Sequence, residues 1–280
     1  MPNISNAFKF ILFADDTTLS LTNNNITDLN IESNNELKKF YDWSIANRLT
    51  INTDKTFFNL ITNIPYPNEL SPQLKINNEE ITRNPANLFL GVTIDEKIKF
   101  NLHINQISKK VSKSIGILNK LKYYLTASTM RNLYFTLVHP YLSYCNLVWG
   151  NTYTTHLTPL ILLQKKAIRI INNAAFDAHT NELFYSSGIT KLVDLNKLKL
   201  AIYMYKNQDD PVFSRDHSYN TRSQSSLLPT FQRLTVSQQS IYYSGPVLWN
   251  SIPPYIKESP TIFIFKKRYK RYLIDGYASG

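Results

Sequence analysis

Cysteine is almost absent from this sequence, because Cys145 is the single cysteine among 280 residues. One thiol excludes an internal disulfide and any zinc site that needs two or more cysteines. His139 and His156 are the neighbouring metal-ligand candidates, but their spacing from Cys145 matches no zinc pattern. Cys145 lies in an apolar and aromatic run, so we expect it in the core. A chain without disulfides suits a reducing compartment, and we expect the nucleus or the cytoplasm.

Long apolar runs are also missing. No stretch is long enough to span a bilayer, and residues 1–6 show no basic region followed by an apolar one. The seven glycines and 13 prolines exclude a fibrous or low-complexity chain, while 43% hydrophobic residues provide for a core. We therefore expect a soluble intracellular protein of one large or two modest domains that does not contact membranes.

The net charge is +11, and this positive charge is unevenly distributed along the chain. Residues 1–95 hold seven Lys and Arg against eleven Asp and Glu, and residues 96–280 hold 24 against nine. The two parts therefore carry −4 and +15. A strongly basic part indicates a polyanionic partner such as nucleic acid, or a solvated basic surface that maintains solubility.

Hydrophobic periodicity predicts strands and one helix in the first hundred residues. Residues 7–22 are expected to form two strands around a tight turn, with apolar residues on both faces as in a strand buried on both sides. The elements predicted next are a helix over 34–48, a strand over 56–62, a loop over 63–73 and a strand pair over 74–82 and 87–94.

From about residue 99 the pattern becomes helical. The first helix has an apolar stripe formed by Ile104, Ile107, Val111, Ile115 and Leu118. Later elements are predicted as helices over 128–139 and 157–172, a loop or linker over 214–226 and a final helix from Ser259-Pro260.

Two adjacent carboxylates are the strongest chemical feature, in Phe13-Ala14-Asp15-Asp16. At a hairpin tip they repel each other unless a cation lies between them. Mg²⁺ prefers oxygen ligands and keeps positions open for phosphate oxygens. Two such ions can activate an attacking hydroxyl and stabilise a leaving phosphate oxygen. The alternative is a pair of solvated aspartates in a surface turn.

The context of this box resembles the reverse transcriptases of non-LTR retrotransposons of the jockey type. Four further segments follow in the order of that family. The resemblance as a whole runs from about residue 8 to about residue 275 and is weakest between residues 205 and 255. The four segments are Leu49-Thr50-Ile51-Asn52-Thr53-Asp54-Lys55-Thr56, Phe89-Leu90-Gly91-Val92-Thr93-Ile94-Asp95, His139-Pro140-Tyr141-Leu142-Ser143-Tyr144-Cys145-Asn146 with Val148-Trp149-Gly150, and Leu163-Gln164-Lys165-Lys166-Ala167-Ile168-Arg169.

The resemblance implies RNA-directed DNA synthesis with two Mg²⁺ ions, an RNA template, a DNA primer and deoxynucleoside triphosphates. Asp15 and Asp16 would be catalytic metal ligands, with Phe13 supporting the hairpin from below. Lys55 would meet the charge of the departing pyrophosphate. The implied primer grip is formed by Phe89, Leu90 and Gly91.

The implied fold is α+β. The resemblance assigns residues 1–98 to the C-terminal part of a polymerase palm with antiparallel strands and a helix. Residues 99–175 would form a helical thumb, and residues 176–280 a helix-rich basic C-terminal region.

One departure from the family bears on activity. Two-metal polymerases need a further aspartate on an earlier palm strand, and none of the 14 residues before Asp15 is acidic. We therefore expect a C-terminal fragment that is inactive by itself and binds Mg²⁺ weakly or not at all. The alternatives are a non-catalytic nucleic-acid-binding relic and a group II intron maturase. The segments at 139–150 and 163–169 argue against the maturase.

Three basic sets are candidates for nucleic-acid binding, where affinity is mostly electrostatic. The alternative for each is a solvated helix face, and the last set could also be a nuclear address. The sets are Lys109, Lys113 and Lys120; Lys165 and Arg169; and Lys266, Lys267, Arg268, Lys270 and Arg271, interleaved with Tyr269 and Tyr272.

Overall fold

The computed structural model describes residues 4–62, 71–208, 210–213 and 227–278. The chain divides into two compact units, an N-terminal unit over Met1–Ile98 and a C-terminal unit over Lys99–Gly280. Helices and small sheets are combined, which confirms the α+β prediction. Most of the loop predicted over 63–73 and all of the one predicted over 214–226 lie outside the described residues. Among the described helices, none is long and apolar enough to cross a membrane.

The N-terminal unit contains one long helix and eight short strands within its described part. A 3-10 turn at Thr53–Lys55 precedes the third strand. The elements are β1 (Lys9–Phe13), β2 (Asp16–Ser20), α1 (Ile26–Ala46), β3 (Phe57–Phe58), β4 (Lys75–Ile76), β5 (Glu79–Glu80), β6 (Thr82–Arg83), β7 (Ala86–Phe89) and β8 (Val92–Asp95).

The strands form four separate pairs among the described residues. Strands β1 and β2, β4 and β5, and β7 and β8 are antiparallel hairpins, whereas β3 pairs with β6 in parallel. The prediction of one strand over 74–82 paired with another over 87–94 is therefore wrong. Each segment folds back on itself, because Asn77 and Asn78, like Leu90 and Gly91, adopt positive φ and form tight two-residue turns.

Helix α1 begins earlier than predicted because Asn25 caps it. The Asn25 side chain accepts a hydrogen bond of 2.9 Å from the backbone N–H of Thr27. Leu37 of α1 forms a small core with Ile76 and Ile81, against which Phe8 and other partly buried apolar residues pack. This core fixes the base of the first hairpin relative to the helix.

The predicted burial of β1 on both faces is wrong. Leu12 is 54% exposed and Phe13 is 61% exposed. In the described residues β1 belongs to a two-stranded sheet, so no packed layers cover both faces of its outer end. Apolar residues on both faces of β1 therefore did not predict its burial correctly.

The C-terminal unit is helical throughout its described part. Its helices are α2 (Asn101–Leu121), α3 (Ala127–Leu137), α4 (His139–Ser143), α5 (Asn146–Trp149), α6 (Thr154–Ile171), α7 (Asn181–Ser187), α8 (Leu192–Lys206), α9 (Thr235–Gln238), α10 (Ile241–Ser251), α11 (Pro254–Lys257) and α12 (Ile262–Asp275).

The apolar stripe predicted for α2 is confirmed, since all five of its residues are buried. It packs against α6, where Leu160 and Ala167 are fully buried. Pro140 lies in the first turn of α4, where its missing N–H costs no helical hydrogen bond. The last helix begins within three residues of its predicted start, with the Thr261 hydroxyl accepting from the N–H of Ile264 at 3.3 Å.

A second core joins α8, α10 and α12. Met204, Trp249 and Phe265 are among its buried members. The rings of Trp249 and Phe265 lie 5.7 Å apart between centroids. This packing fixes one face of α12 against α8, and so determines which basic residues of the final helix face its neighbours.

Candidate functional site

The two aspartates lie at the tip of the β1–β2 hairpin. Phe13 pairs with Asp16, so Ala14 and Asp15 form a two-residue turn and Asp16 begins β2. Both carboxylates are exposed. Ala14 adopts φ 51°, a left-handed conformation that residues with a Cβ rarely adopt. The predicted turn is confirmed, and its backbone strain falls beside the two candidate metal ligands.

Aromatic contacts hold the base of this hairpin. Phe10 lies 6.2 Å from Phe40 of α1 and Phe8 lies 6.3 Å from Phe10, between ring centroids. The Ser5 hydroxyl accepts a 2.8 Å hydrogen bond from the N–H of Phe8. The tip therefore projects from an anchored base, although Phe13 is too exposed to pack beneath it as expected.

Two carboxylates set a limit on metal binding at this tip. Among the described residues no group of three His, Cys, Asp or Glu side chains is arranged to hold a metal ion. Mg²⁺ is commonly bound by one or two carboxylates, with waters and substrate phosphates completing its ligands. Asp15 and Asp16 could therefore hold one Mg²⁺ ion weakly. A site for two ions would need at least one more carboxylate side chain.

Lys55 ends a 3-10 turn that the rest of its motif organises. The Asn52 side chain accepts a 3.2 Å hydrogen bond from the N–H of Lys55, and the Thr56 hydroxyl donates to the Asn52 carbonyl at 2.7 Å. The hydroxyl of Thr53 donates to Glu79 at 2.5 Å. Asparagine and threonine thus hold the turn, while the Lys55 side chain is exposed. The turn fixes the backbone at Lys55, and its exposed ammonium is free to contact a phosphate group.

The predicted primer-grip residues form a hairpin turn. Phe89 ends β7, and Leu90 and Gly91 make the turn into β8 with φ of 45° and 80°. Gly91 is exposed, so its lack of a side chain serves the left-handed backbone conformation. The primer-grip role of Phe89, Leu90 and Gly91 remains a prediction.

One ion pair fixes the strands near this turn. The Arg83 guanidinium donates from Nε to Glu96 Oε1 at 2.8 Å and from Nη2 to Oε2 at 2.9 Å. Their side chains are 28% and 16% exposed. Hydrogen bonding from Arg83 lowers the pKa of Glu96. A bidentate pair of this kind has a structural role, and it was not visible in the sequence.

The 139–150 segment is mainly a packing element. Trp149 and Asn146 are fully buried, and the Trp149 indole donates to the Tyr144 carbonyl at 2.9 Å. Asn146 donates to the Leu142 carbonyl at 3.0 Å. A Cβ on Gly150 would lie 2.5 Å from the backbone oxygen of Asn146, so only glycine fits there. This segment positions helices in the core.

The 163–169 segment is also largely structural. The Gln164 amide donates to the Tyr134 hydroxyl at 2.9 Å and accepts from the N–H of Leu192 at 2.8 Å, all in buried surroundings. Arg169, predicted to bind nucleic acid, donates to the Ala178 carbonyl at 2.9 Å. Lys165 is half-buried on the same helix.

Helix α2 presents an exposed basic face that ends in aromatic residues. Lys109, Lys113 and Lys120 are exposed, and a Cβ on Gly116 between them would meet no atom within 4 Å. Directly after α2, Tyr123 is 77% exposed and Tyr124 is 82% exposed. The Lys122 ammonium lies 4.7 Å from the centroid of the Tyr123 ring.

Lysines interleaved with exposed aromatic rings are typical of single-strand binding surfaces. Sequence reasoning missed these two tyrosines. The available signal was their position next to two lysines at the end of an amphipathic helix.

The basic run on α12 does not form one continuous patch. Arg268 donates to the Tyr255 carbonyl at 3.1 Å, and Arg271 pairs with Asp275 at 3.3 Å. Lys266 and Lys267 are exposed, whereas Lys270 is half-buried. The interleaved residue Tyr269 is buried in the second core, at 2% exposure.

Two curated proteins are similar to this chain. Both are the RNA-directed DNA polymerase from mobile element jockey, in Drosophila melanogaster and Drosophila funebris, with 25% and 24% identity over 187 residues. Each match covers 65% of this chain and about a fifth of the relative's length. No family model and no solved structure matches the chain. The resemblance predicted from the sequence motifs is confirmed.

Proposed function

We propose that the chain forms part of an RNA-directed DNA polymerase, because it is related to the jockey-like reverse transcriptases of non-LTR retrotransposons. The observation that carries the proposal is the aspartate pair at the tip of a tight hairpin, in a chain similar to two such polymerases. Both relatives come from retrotransposons, which favours this function over that of an intron maturase.

The proposed roles follow from exposure and charge. Asp15 and Asp16 would hold Mg²⁺, which when bound supplies positive charge to the phosphate oxygens of the reacting nucleotide. The exposed Lys55 side chain would neutralise charge on the departing pyrophosphate. The basic face of α2 would follow a nucleic-acid backbone, and Tyr123 and Tyr124 would stack on unpaired bases.

A second candidate is nucleic-acid binding without synthesis. The observation in its favour is that the aspartate pair has no third metal-ligating side chain grouped with it among the described residues. For this reason we expect the 280-residue chain by itself not to extend a DNA primer on an RNA template with Mg²⁺ or Mn²⁺.

A chimera tests the polymerase function. This chain replaces the segment of the Drosophila melanogaster jockey polymerase to which it aligns, extended to include the β1–β2 hairpin. We expect Mg²⁺-dependent extension of a DNA primer on an RNA template. Asp15→Asn or Asp16→Asn should lower the rate on the order of 10²–10³-fold, because transition-state charge loses its stabilisation. RNA affinity should not change.

The matched control is Asp42→Asn, which removes an exposed carboxylate from α1 and should leave synthesis intact. Full synthesis by the Asp15→Asn chimera would refute the assigned metal role. A chimera that binds RNA but never extends a primer, in an assay where the jockey polymerase works, would favour binding without synthesis.

A further inference from the structure

Five basic side chains from four helices converge in the C-terminal unit. We name this set the cation cluster. Its members are Arg131 of α3, His139 of α4, Lys199 of α8, and Lys266 and Lys270 of α12. Helix α12 packs on α8, α3 packs on α4, and Lys199 of α8 bonds to the end of α4, so the four helices bring together residues that are distant in sequence.

Several members of the cation cluster are held in place by the fold. Arg131 Nε donates to the Ser187 carbonyl at 2.8 Å, and its guanidinium lies 5.0 Å from the Phe135 ring centroid. The same ring lies 5.2 Å from the imidazole of His139. The Lys199 ammonium donates to the carbonyl of Ser143, at the end of α4.

Burial and mutual repulsion both act against the charged forms of this cluster. His139, Lys199 and Lys270 are half-buried. Burial is the main cause that lowers their pKa values, and neighbouring cations lower them further. The neighbours are Lys199 and Lys270 for His139, Lys266 for Lys199, and Arg131 and Lys266 for Lys270. Cys145 acts in the opposite direction on the pKa of Lys199.

Carboxylates of the described chain do not offset these charges. In residues 4–62, 71–208, 210–213 and 227–278, none of the five side chains is ion-paired with a carboxylate. Gathering cations without a carboxylate partner destabilises the fold, because like charges repel each other and the ammonium groups of Lys199 and Lys270 are partly removed from water. Arginine and lysine in fixed positions are the groups that proteins use to bind phosphate.

We propose that the cation cluster is a binding site for a phosphate group, supplied either by a nucleic-acid backbone or by free phosphate. The site lies between helices and differs from the exposed lysine face of α2. It does not depend on polymerase activity, so the proposal stands or fails separately from the proposed function.

Thermal unfolding of the 280-residue chain tests this site with inorganic phosphate as the probe. The comparison is sodium phosphate against sodium chloride at equal ionic strength. At about ten times the dissociation constant, phosphate should raise the Tm by about 3–6 °C. Lys199→Met and Lys270→Met should each abolish that increase. Lys270→Met should also raise the Tm in phosphate-free buffer, since repulsion is relieved while the apolar stem is retained.

The matched control is Lys206→Met, which removes an exposed lysine of α8 outside the cluster. It should keep the full phosphate-dependent increase. Phosphate also stabilises proteins generally by exclusion from their surface, and that effect is shared by all variants. Equal increases in the wild-type and Lys270→Met proteins would therefore overturn the proposal. Lys270→Met has no hydrogen bond to lose as Lys199 does, so it remains informative if Lys199→Met does not fold.

A single-stranded RNA oligonucleotide identifies the source of the phosphate. If Lys270→Met weakens RNA binding more than Lys206→Met does, the ligand is a nucleic-acid phosphodiester. If RNA affinity is equal while the phosphate-dependent Tm increase is lost, the ligand is free phosphate. Both results support the site, and retention of the Tm increase in Lys199→Met and Lys270→Met refutes it.

Discussion

Asp15 and Asp16 lie at a strained hairpin tip, and neither carboxylate is buried when the chain folds. The backbone strain lies at Ala14, and both carboxylates face solvent. No hydrogen bond from the rest of the described chain engages the Asp15 side chain, so we expect the fold not to depend on its charge. Whether the Asp15 carboxylate contributes to stability can be measured by thermal unfolding of the chain without substrate.

We expect Asp15→Asn to leave the Tm of the 280-residue chain unchanged or slightly higher. The substitution removes one of two adjacent negative charges and breaks no packing. Thermal unfolding by circular dichroism gives the comparison. Asp28→Asn provides the contrast, because it removes a carboxylate from the first turn of α1 and should cost about 0.3–1 kcal/mol. A large loss of Tm in Asp15→Asn would mean that its side chain holds the turn through hydrogen bonds.

Two glycines of the C-terminal unit should respond in opposite directions to alanine. A Cβ at Gly150 meets Asn146 O at 2.5 Å and Asn196 Nδ2 at 2.7 Å, so Gly150→Ala should destabilise by about 1–3 kcal/mol or more. Gly116 lies within α2 with open space around it, so Gly116→Ala should stabilise by about 0.5–1 kcal/mol. Urea unfolding measures both. Similar effects at the two positions would contradict the packing described for the 139–150 segment.

The strands of the N-terminal unit are short, so individual side-chain bonds contribute much of their order. The Arg83–Glu96 pair joins β6 to the residue after β8, and the backbone N–H of Leu60 also donates to Glu96 at 3.4 Å. We therefore expect the stability of this unit to depend on the ionisation of Glu96.

Glu96→Gln should lower the unfolding free energy at neutral pH by about 1–3 kcal/mol, the range for a hydrogen-bonded charge. Because Arg83 lowers the pKa of folded Glu96, its stabilisation is present above the ordinary value of 4.5 and is lost as pH falls through the folded pKa. Urea unfolding across this acidic range should show a steeper loss in the wild-type chain than in Glu96→Gln. Asp54→Asn, an exposed carboxylate, is the control and should retain the wild-type slope.

Helix α2 and the turn after it should make separable contributions to nucleic-acid binding. Tyr123→Ser with Tyr124→Ser should weaken binding of single-stranded RNA about 10–100-fold without changing the salt dependence, because stacking releases no counter-ions. Lys113→Gln should instead reduce the slope of log K against log salt by about 0.7. Fluorescence anisotropy measures both. Tyr255→Ser removes an exposed tyrosine elsewhere and is the control; an equal loss in that variant would argue against a stacking site.

The two units of the molecule carry net charges of opposite sign. Residues 1–98 hold eight Lys and Arg against twelve Asp and Glu, and residues 99–280 hold 23 against eight. The net charges are therefore −4 and +15. Such asymmetry directs a polyanion to the C-terminal unit.

Nucleic-acid binding should accordingly be a property of residues 99–280. We expect the whole chain to bind single-stranded RNA with little sequence preference, with log K falling by about 0.7 per contacted phosphate per log unit of salt. Residues 99–280 should keep that slope, and residues 1–98 should show no comparable binding. Filter binding over a range of potassium chloride concentrations measures the slope. Affinity that is independent of salt would point to a different partner.

The sequence by itself determined the features that depend on local spacing. The buried stripe of α2, the turn at Asp15 and the start of the last helix follow from side-chain period, turn chemistry and capping. The family relationship was also visible, because its motifs occur in a fixed order. Exposed charges at Lys109 and Lys113 could be predicted because they lie off the apolar stripe.

The tertiary structure decided what depends on residues distant in the chain. Periodicity could not show that β1 belongs to a two-stranded sheet, since its exposure is determined by neighbouring elements. Positive φ at Leu90 turned a predicted strand into a hairpin. The run over 266–271 appeared continuous, yet helical geometry and the packing of α12 on α8 separate Arg268 and Arg271 from Lys266 and Lys270. The cation cluster exists only because four helices fold together, and no linear pattern records that proximity.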